Sequence, residues 1–276
     1  MSGKLYICAT PIGNLEDVSL RLLRTLREAD LIVAEDTRTI KKLLGRYDIS
    51  KKDIISYNDY NYKERIPRIV DKLEAGKDVS LVSESGLPAI QDPGYRIINE
   101  CIKKDITVTV IPGPNAALSA LVLSGLATDS FLFEGFLPKS KAKRKSKIME
   151  LAPLPYTIIF YESPKRIEKL LGEIIERFGN RDAALVREIS KIYEEAIRGN
   201  LESILKKIKA KKIKGEIVLV VSGHKNELIK NFSGEDIKNE IMKLMKQGIS
   251  KKGALKIIRS KYDIDKQRLY NIATKI

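Results

Sequence analysis

Apolar residues recur along the first half of the chain as short β-branched runs, each followed by an abrupt polar segment. The run at 79–83 is the clearest. It breaks into SESGLPAIQDPG at 83–94, a loop holding two Gly, two Pro, two Ser, a Glu and an Asp. A continuous apolar run of this length reads as a buried parallel strand, and open α/β sheets bind ligands at the carboxyl ends of their strands. Residues 7–14, 33–38 and 108–115 repeat the form. Four polar exits from apolar strands predict one shared crevice.

Between the runs the spacing turns helical. Strands are predicted at 5–9, 31–34, 54–57, 79–83 and 107–111. Leu20, Leu23 and Leu26 fall on one helical face behind Ser19 or Asp17 as N-cap. A helix through Leu44 follows Glu35-Asp36-Thr37-Arg38, with Asp36 or Thr37 placed to cap it. Further helices are predicted at 62–75, closed by Gly76, at 95–104 and at 116–125. Strict alternation of strand and helix predicts a mostly parallel sheet covered on both faces. The pattern restarts near 128–130. Strands at 131–135, 156–161, 183–187, 194–198 and 216–222, with helices at 167–178 and 201–208, predict a second α/β domain with a mixed sheet. Beyond residue 226 no strand pattern appears. A linker at 232–236, a helix at 237–247 and two shorter ones predict a small helix-turn-helix-like tail, or a packing tail of the same size. The expected domains are therefore 1–127, 128–224 and 225–276.

Charge sharpens this division. The 276 residues carry a net +15, yet residues 1–138 sum to −1, residues 139–224 to +9 and residues 225–276 to +7. Two runs, KSKAKRKSK at 139–147 and KKIKAKKIK at 206–214, hold six basic residues in nine each. A neutral half built for a small ligand, joined to a cationic half, points to a polyanionic partner, most simply nucleic acid. No apolar run approaches the ~20 residues of a membrane span, and the N-terminus lacks a signal-peptide pattern. Cys8 and Cys101 read as buried reduced thiols. One His and two Cys build no His/Cys metal site. A cytoplasmic protein is expected.

Several chemistries drop out. There is no G-x-G-x-x-G after the first strand, no G-x-x-x-x-G-K-[ST] and no G-x-S-x-G. The only histidine, His224, reads as a surface residue rather than a triad member. What remains are loops rich in backbone donors, Pro and carboxylates. They suit a neutral or cationic ligand with an amino-acid portion and a ribose, and S-adenosylmethionine fits that description better than an anionic nucleotide.

The segments ATPIGNLEDVSLR, AEDTR, SYND, VSESGLPAIQDPGYR, PGPNA, FLFEGFLPK, FYESPKR, VREISKIYEE and KGEIVLVV, in this order, resemble the ribosomal RNA small subunit methyltransferase I family of the tetrapyrrole methylase superfamily. The likeness runs nearly continuously over 1–224. It implies two α/β domains with S-adenosylmethionine in the cleft between them. It also implies a bacterial, cytoplasmic homodimer that methylates the ribose 2′-hydroxyl of a cytidine in the decoding region of 16S rRNA on the small ribosomal subunit. On the matching motifs, cofactor contacts are expected from Pro11, Gly13, Asn14, Glu84, Ser85, Gly86, Pro88, Ala89, Asp92, Pro112, Gly113, Asn115, Phe136 and Glu162. Asp36 and Glu35 are the first candidates for a base that takes the hydroxyl proton, unless they only cap or position. Arg38, Lys139, Lys141, Lys143, Arg144, Lys145 and Arg166 are expected to contact RNA phosphates. The central loop departs from the commoner family form SDAGTPGISDPG: Ala89 replaces a Gly, and Gln91 a Ser. A corrin or porphyrin methylase would share the architecture without needing the basic runs. A non-enzymatic RNA-binding protein would explain the basic half without needing the four exits.

Overall fold

The computed structural model describes residues 2–211, 213–224, 234–246, 248–262 and 266–274. Positions 232–233 of the expected linker, Lys212 of the second basic run and Gln247 lie outside them.

Five strands form an all-parallel sheet: β1 (Leu5–Cys8), β2 (Leu31–Ala34), β3 (Asp53–Ser56), β4 (Val79–Val82) and β5 (Val108–Ile111), in the order β3-β2-β4-β1-β5. In register, Leu5 stands beside Val79 on one side and Val108 on the other. Every residue of β2 and β4 is buried, which is why these strands read as unbroken apolar runs. Helices α1 (Leu20–Glu28) and α2 (Thr37–Arg46) cover one face through Leu22, Leu26, Ile40 and Leu43. Helices α3 (Tyr62–Glu74) and α4 (Gly94–Lys103) cover the other through Ile69, Leu73, Ile97 and Cys101. The cap signals resolve as local chemistry. Ser19 Oγ accepts from the Leu22 amide at 3.0 Å, and Asp36 Oδ1 from the Arg38 amide at 2.7 Å. Gly76, at φ 81, ends α3 in the left-handed conformation.

Helix α5 (Ala116–Ser124) leads to a second five-stranded sheet. Its strands are β6 (Phe131–Phe136), β7 (Thr157–Glu162), β8 (Asp182–Arg187), β9 (Glu195–Asn200) and β10 (Ile217–Val221), in the order β6-β7-β10-β8-β9. β6 and β7 are parallel and the other pairings antiparallel, so the sheet is mixed, as expected. β10 comes last of these in sequence but lies at the centre. All five of its residues are buried, and a strand with no polar face needs a neighbour on each side. Helices α6 (Lys141–Leu151), α7 (Ile167–Phe178) and α8 (Leu201–Ala210) close one face around Phe160, Leu171, Ile174 and Leu219. The opposite face does not meet solvent. It packs on Ala117, Ala120 and Leu121 of α5 and on Ile12, within the β1 exit. That apolar seam joins both sheets into one compact unit ending at Gly223.

From His224 the chain forms a second compact unit. Its helices α9 (Gly234–Lys246), α10 (Lys251–Tyr262) and α11 (Lys266–Ala273) enclose a small core of Ile237, Ile241, Ala254, Ile258 and Leu269. Among the described residues no helix is long and apolar enough to cross a membrane.

Candidate functional site

The exits of β1 and β4 are tied together. Thr10 and Gly86 exchange backbone hydrogen bonds at 2.9 and 3.1 Å, and Gly86 sits at φ +83 to allow it. The Ser83 hydroxyl donates to the Gly86 carbonyl at 2.9 Å, and the buried Tyr57 hydroxyl to the Pro93 carbonyl at 3.1 Å. These bonds fix a loop that would otherwise be a long irregular excursion.

From the second sheet, the turn between β8 and β9 reaches back. Lys191 packs against Gly13, where a Cβ would lie 2.6 Å from its Cγ. Its ammonium pairs with Glu188 at 3.1 Å and Glu216 at 3.2 Å. The Ser190 hydroxyl bonds the Asp17 carboxylate.

Between these exits lies a cavity of about 690 Å³. All four predicted exits reach it: Pro11 and Gly13 after β1, Glu35 after β2, Glu84, Ser85, Gly86 and Asp92 after β4, and Asn115 after β5. Phe136 and Glu162 line it from the second sheet. Its volume falls in the range of small-molecule sites. Its electrostatics are anionic. Burial, then repulsion from Glu35 and Glu84, pushes the Asp92 carboxyl up to about 7. Glu35 is also raised, by burial first and by Glu84 second. Glu162 is buried, with Oε1 accepting from the Ser163 amide at 2.7 Å. Arg166 stands 3.2 Å from Oε2, outside hydrogen-bonding geometry, and compensates the charge of a carboxylate whose second oxygen is closed off from solvent.

Other expected site residues are placed elsewhere. Asp36 does not line the cavity. It caps α2 and holds Arg38 through contacts at 3.1 and 2.7 Å, which keeps its carboxyl down near about 2. Asn14 caps a short 3-10 turn by accepting from the Glu16 amide at 3.0 Å. Gly113 packs tightly on β1, since a Cβ there would lie 3.0 Å from Ala9 Cβ. Pro88, Ala89 and Pro112 also stand outside the lining; Pro88 is buried, and Ala89 carries a positive φ of 71.

Among the cations, Lys139, Lys141, Lys143 and Lys145 are exposed on or beside α6, and Arg38 is exposed though paired with Asp36. Arg144 is the correction. It is 5% exposed, forks onto Glu173 at 2.6 and 2.8 Å, and donates to the Pro138 and Lys139 carbonyls at 3.2 and 2.9 Å. A guanidinium so committed is a structural tie, not a phosphate contact. On α6 it falls on the face that meets α7, which its neighbours in the basic run conceal at the level of composition.

A family model for Tetrapyrrole (Corrin/Porphyrin) Methylases matches residues 4–205. A Ribosomal RNA small subunit methyltransferase I from Halalkalibacterium halodurans is 42% identical over 277 residues, covering 98% of this chain and 94% of that protein. One from Thermotoga maritima is 45% identical over 221 residues, covering 80% and 99%. The chain belongs to the ribosomal RNA small subunit methyltransferase I family, within the tetrapyrrole methylases. It is therefore a methyltransferase whose donor is S-adenosylmethionine. Solved structures share the fold at low identity. A diphthine synthase superposes with TM-score 0.61 at 16% identity, covering 80% of this chain and 90% of that one. A uroporphyrin-III C-methyltransferase from Thermus thermophilus, in complex with S-adenosyl homocysteine, superposes with TM-score 0.56 at 18% identity, covering 80% and 97%.

Family membership gives the loop departures a physical meaning. Ala89 and Gln91 both take positive φ, 71 and 67, so Gly is the residue the backbone at position 89 prefers. The Gln91 amide occupies the space where a Cβ on Gly135 would stand. Gly135, at φ 70, forms a bulge in β6. The lining also includes Tyr161, Lys191 and Glu216, which sequence reasoning did not single out. Their signal was present, since each lies in or beside a quoted motif at a strand end of the second sheet.

Proposed function

We propose that the cleft brings S-adenosylmethionine to the ribose 2′-hydroxyl of a cytidine in the decoding region of 16S rRNA. One observation carries this reading. An anionic, nucleoside-sized cavity sits at the strand exits of a neutral sheet, in the same compact unit as the exposed lysines of α6. The residues present fit the donor. Glu35, Glu84 and Asp92 favour a cation, and the Gly86 backbone, at φ +83, lines the cavity without a side chain in the way. When bound, S-adenosylmethionine supplies a methyl group already activated on a sulfonium centre.

The protein's own task is then alignment and dryness. Ile12, Leu87 and Ile217 wall the cavity with apolar surface, and Phe136 stands at its edge. Glu35 is the base we assign. It lines the cavity, and its raised carboxyl is a better acceptor near neutral pH than Asp36, held down at about 2 by Arg38. The exposed Lys139, Lys141, Lys143 and Lys145 hold phosphates without reading bases.

The working form is a homodimer in the cytoplasm. α5 is apolar all round, with Val122 74% exposed beside Leu118, and Val110 on the free edge of β5 is also exposed. A helix apolar on every side needs cover. Light scattering on the eluted protein should give twice 31.1 kDa. Val122→Glu should shift it to the monomer; an unsubstituted protein that elutes as a monomer refutes the dimer.

The deciding experiment supplies radiolabelled donor with either small ribosomal subunits or a precorrin. Label is expected in 16S rRNA, on a ribose-methylated cytidine after nuclease digestion and mass analysis. Label only in the tetrapyrrole, or in neither, overturns the proposal.

A further inference from the structure

The turn between β8 and β9 displays two large apolar side chains for which the fold offers no packing. Ile192 is 95% exposed and Tyr193 73% exposed. They are the corner residues of a β-turn closed by the Glu194 amide on the Lys191 carbonyl at 3.0 Å. The turn is held firmly. The Ser190 amide donates to the Glu194 carboxylate at 2.7 Å, and the Lys191 amide to the Glu188 carbonyl at 3.0 Å. Lys191 is locked to Glu188 and Glu216, and Ser190 to Asp17. Glu188 and Ser190 both adopt left-handed backbone, φ 51 and 65, without being Gly. Such strain persists where surrounding contacts over-determine it, and it clusters at functional sites. Position matters as much as rigidity. Ile189 and Lys191, immediately before the corner, line the cavity. The exposed pair therefore follows directly on a residue that lines the cavity.

We propose that Tyr193, with Ile192 beside it in the same turn, is a stacking platform for an unpaired RNA base next to the nucleotide that enters the cavity. The proposal rests on the RNA reading of the cleft and adds to it a positioning residue. The argument is physical. A nucleotide that enters a closed site must leave its stack, and its neighbours then expose their faces. Sequence-tolerant binding of unpaired RNA combines a cationic surface with aromatic rings on which bases stack. Exposed cations are present in the same compact unit, at Lys139, Lys141, Lys143 and Lys145. A second aromatic, Phe136, lines the same cavity and is also exposed. A second copy of the chain or a ribosomal protein would use the apolar pair differently, and the test separates them.

The test titrates the full-length protein against a fluorescein-labelled, mixed-sequence single-stranded RNA oligonucleotide, read by anisotropy at several salt concentrations. Tyr193→Ala should weaken binding about 5- to 100-fold, and Tyr193→Phe should bind as the unsubstituted protein does, because the ring stacks and the hydroxyl is not needed. The salt dependence of Tyr193→Ala should be unchanged, since no phosphate contact is lost. Its affinity for S-adenosylmethionine and its mass in solution should also be unchanged. Wild-type RNA affinity in Tyr193→Ala overturns the proposal, and so does equal damage from Tyr193→Phe. A parallel loss of donor affinity would make the turn structural, and a change in mass would make it a subunit contact; either overturns the proposal. Failure of the unsubstituted protein to bind the oligonucleotide defeats the RNA reading itself, a result distinct from every variant-specific one.

Discussion

Of the five carboxyls that line the cleft, Asp92, Glu35 and Glu84 repel one another, and replacing Asp92 by Asn removes one of these three. In the folded protein burial and the charges of Glu35 and Glu84 push this group up to about 7, from 3.8. The neutral form is thus the one the fold prefers. An unfolded chain ionises Asp92 from about pH 4. The stability that goes with the raised value is present below pH 4, is lost as pH climbs from about 4 to about 7, and does not change further above that. At about 1.36 kcal/mol per unit the full cost of ionisation approaches about 4 kcal/mol. Asp92 is only partly buried, so solvent screening reduces this to about 1–2 kcal/mol. Asp92→Asn should therefore raise the melting temperature by about 3–5 °C at pH 8 and by no more than about 1–2 °C at pH 5. The same substitution should weaken S-adenosylmethionine binding at pH 8, because a cationic donor loses a carboxylate partner. In the unsubstituted protein, affinity should rise as pH passes upward through 7; in the variant that rise should flatten. Scanning fluorimetry and titration calorimetry across pH 5–8 measure both. A variant that melts lower at pH 8, or gains equally at both pH values, would refute the account of the cleft as a set of competing carboxyls.

Arg144→Met should cost about 2–3 kcal/mol, because Glu173 and two carbonyls lose a buried partner, whereas Lys145→Glu should stay within about 0.5 kcal/mol; equal urea midpoints for the two variants would contradict this. Ala89→Gly should stabilise by about 1 kcal/mol by relieving a left-handed Ala, read as an upward shift in the same midpoint. Gly135→Ala should destabilise by about 1–3 kcal/mol, and Gln91→Ser should recover part of that loss by clearing the space while leaving the φ of 70 strained. A double variant no more stable than Gly135→Ala alone would show that the Gln91 amide is not what the added methyl meets.

Residue order alone determined most of the elements and their alternation, but not α6, which the basic run at 139–147 concealed. The apolar runs of β1, β2 and β4, the caps Ser19 and Asp36 and the Gly76 stop are local signals, carried within a few residues. The four polar exits predicted a crevice, because parallel strands send their carboxyl ends the same way, and the motifs along them identified the family. Tertiary structure decided which exit residues face the crevice. Asp36 and Glu35 are neighbours in sequence, yet one is spent on a cap and an arginine while the other lines the cavity. Arg144 is one of six cations in a row of nine, and only the packing of α6 on α7 turns it inward to Glu173. Lys191 and Glu216 reach the site because the second sheet lays its far face on α5 and Ile12, a contact between segments up to about two hundred residues apart. Composition and spacing record what a residue is and what its near neighbours allow. Orientation toward a cavity depends on surfaces brought together only when the apolar seam between the sheets closes.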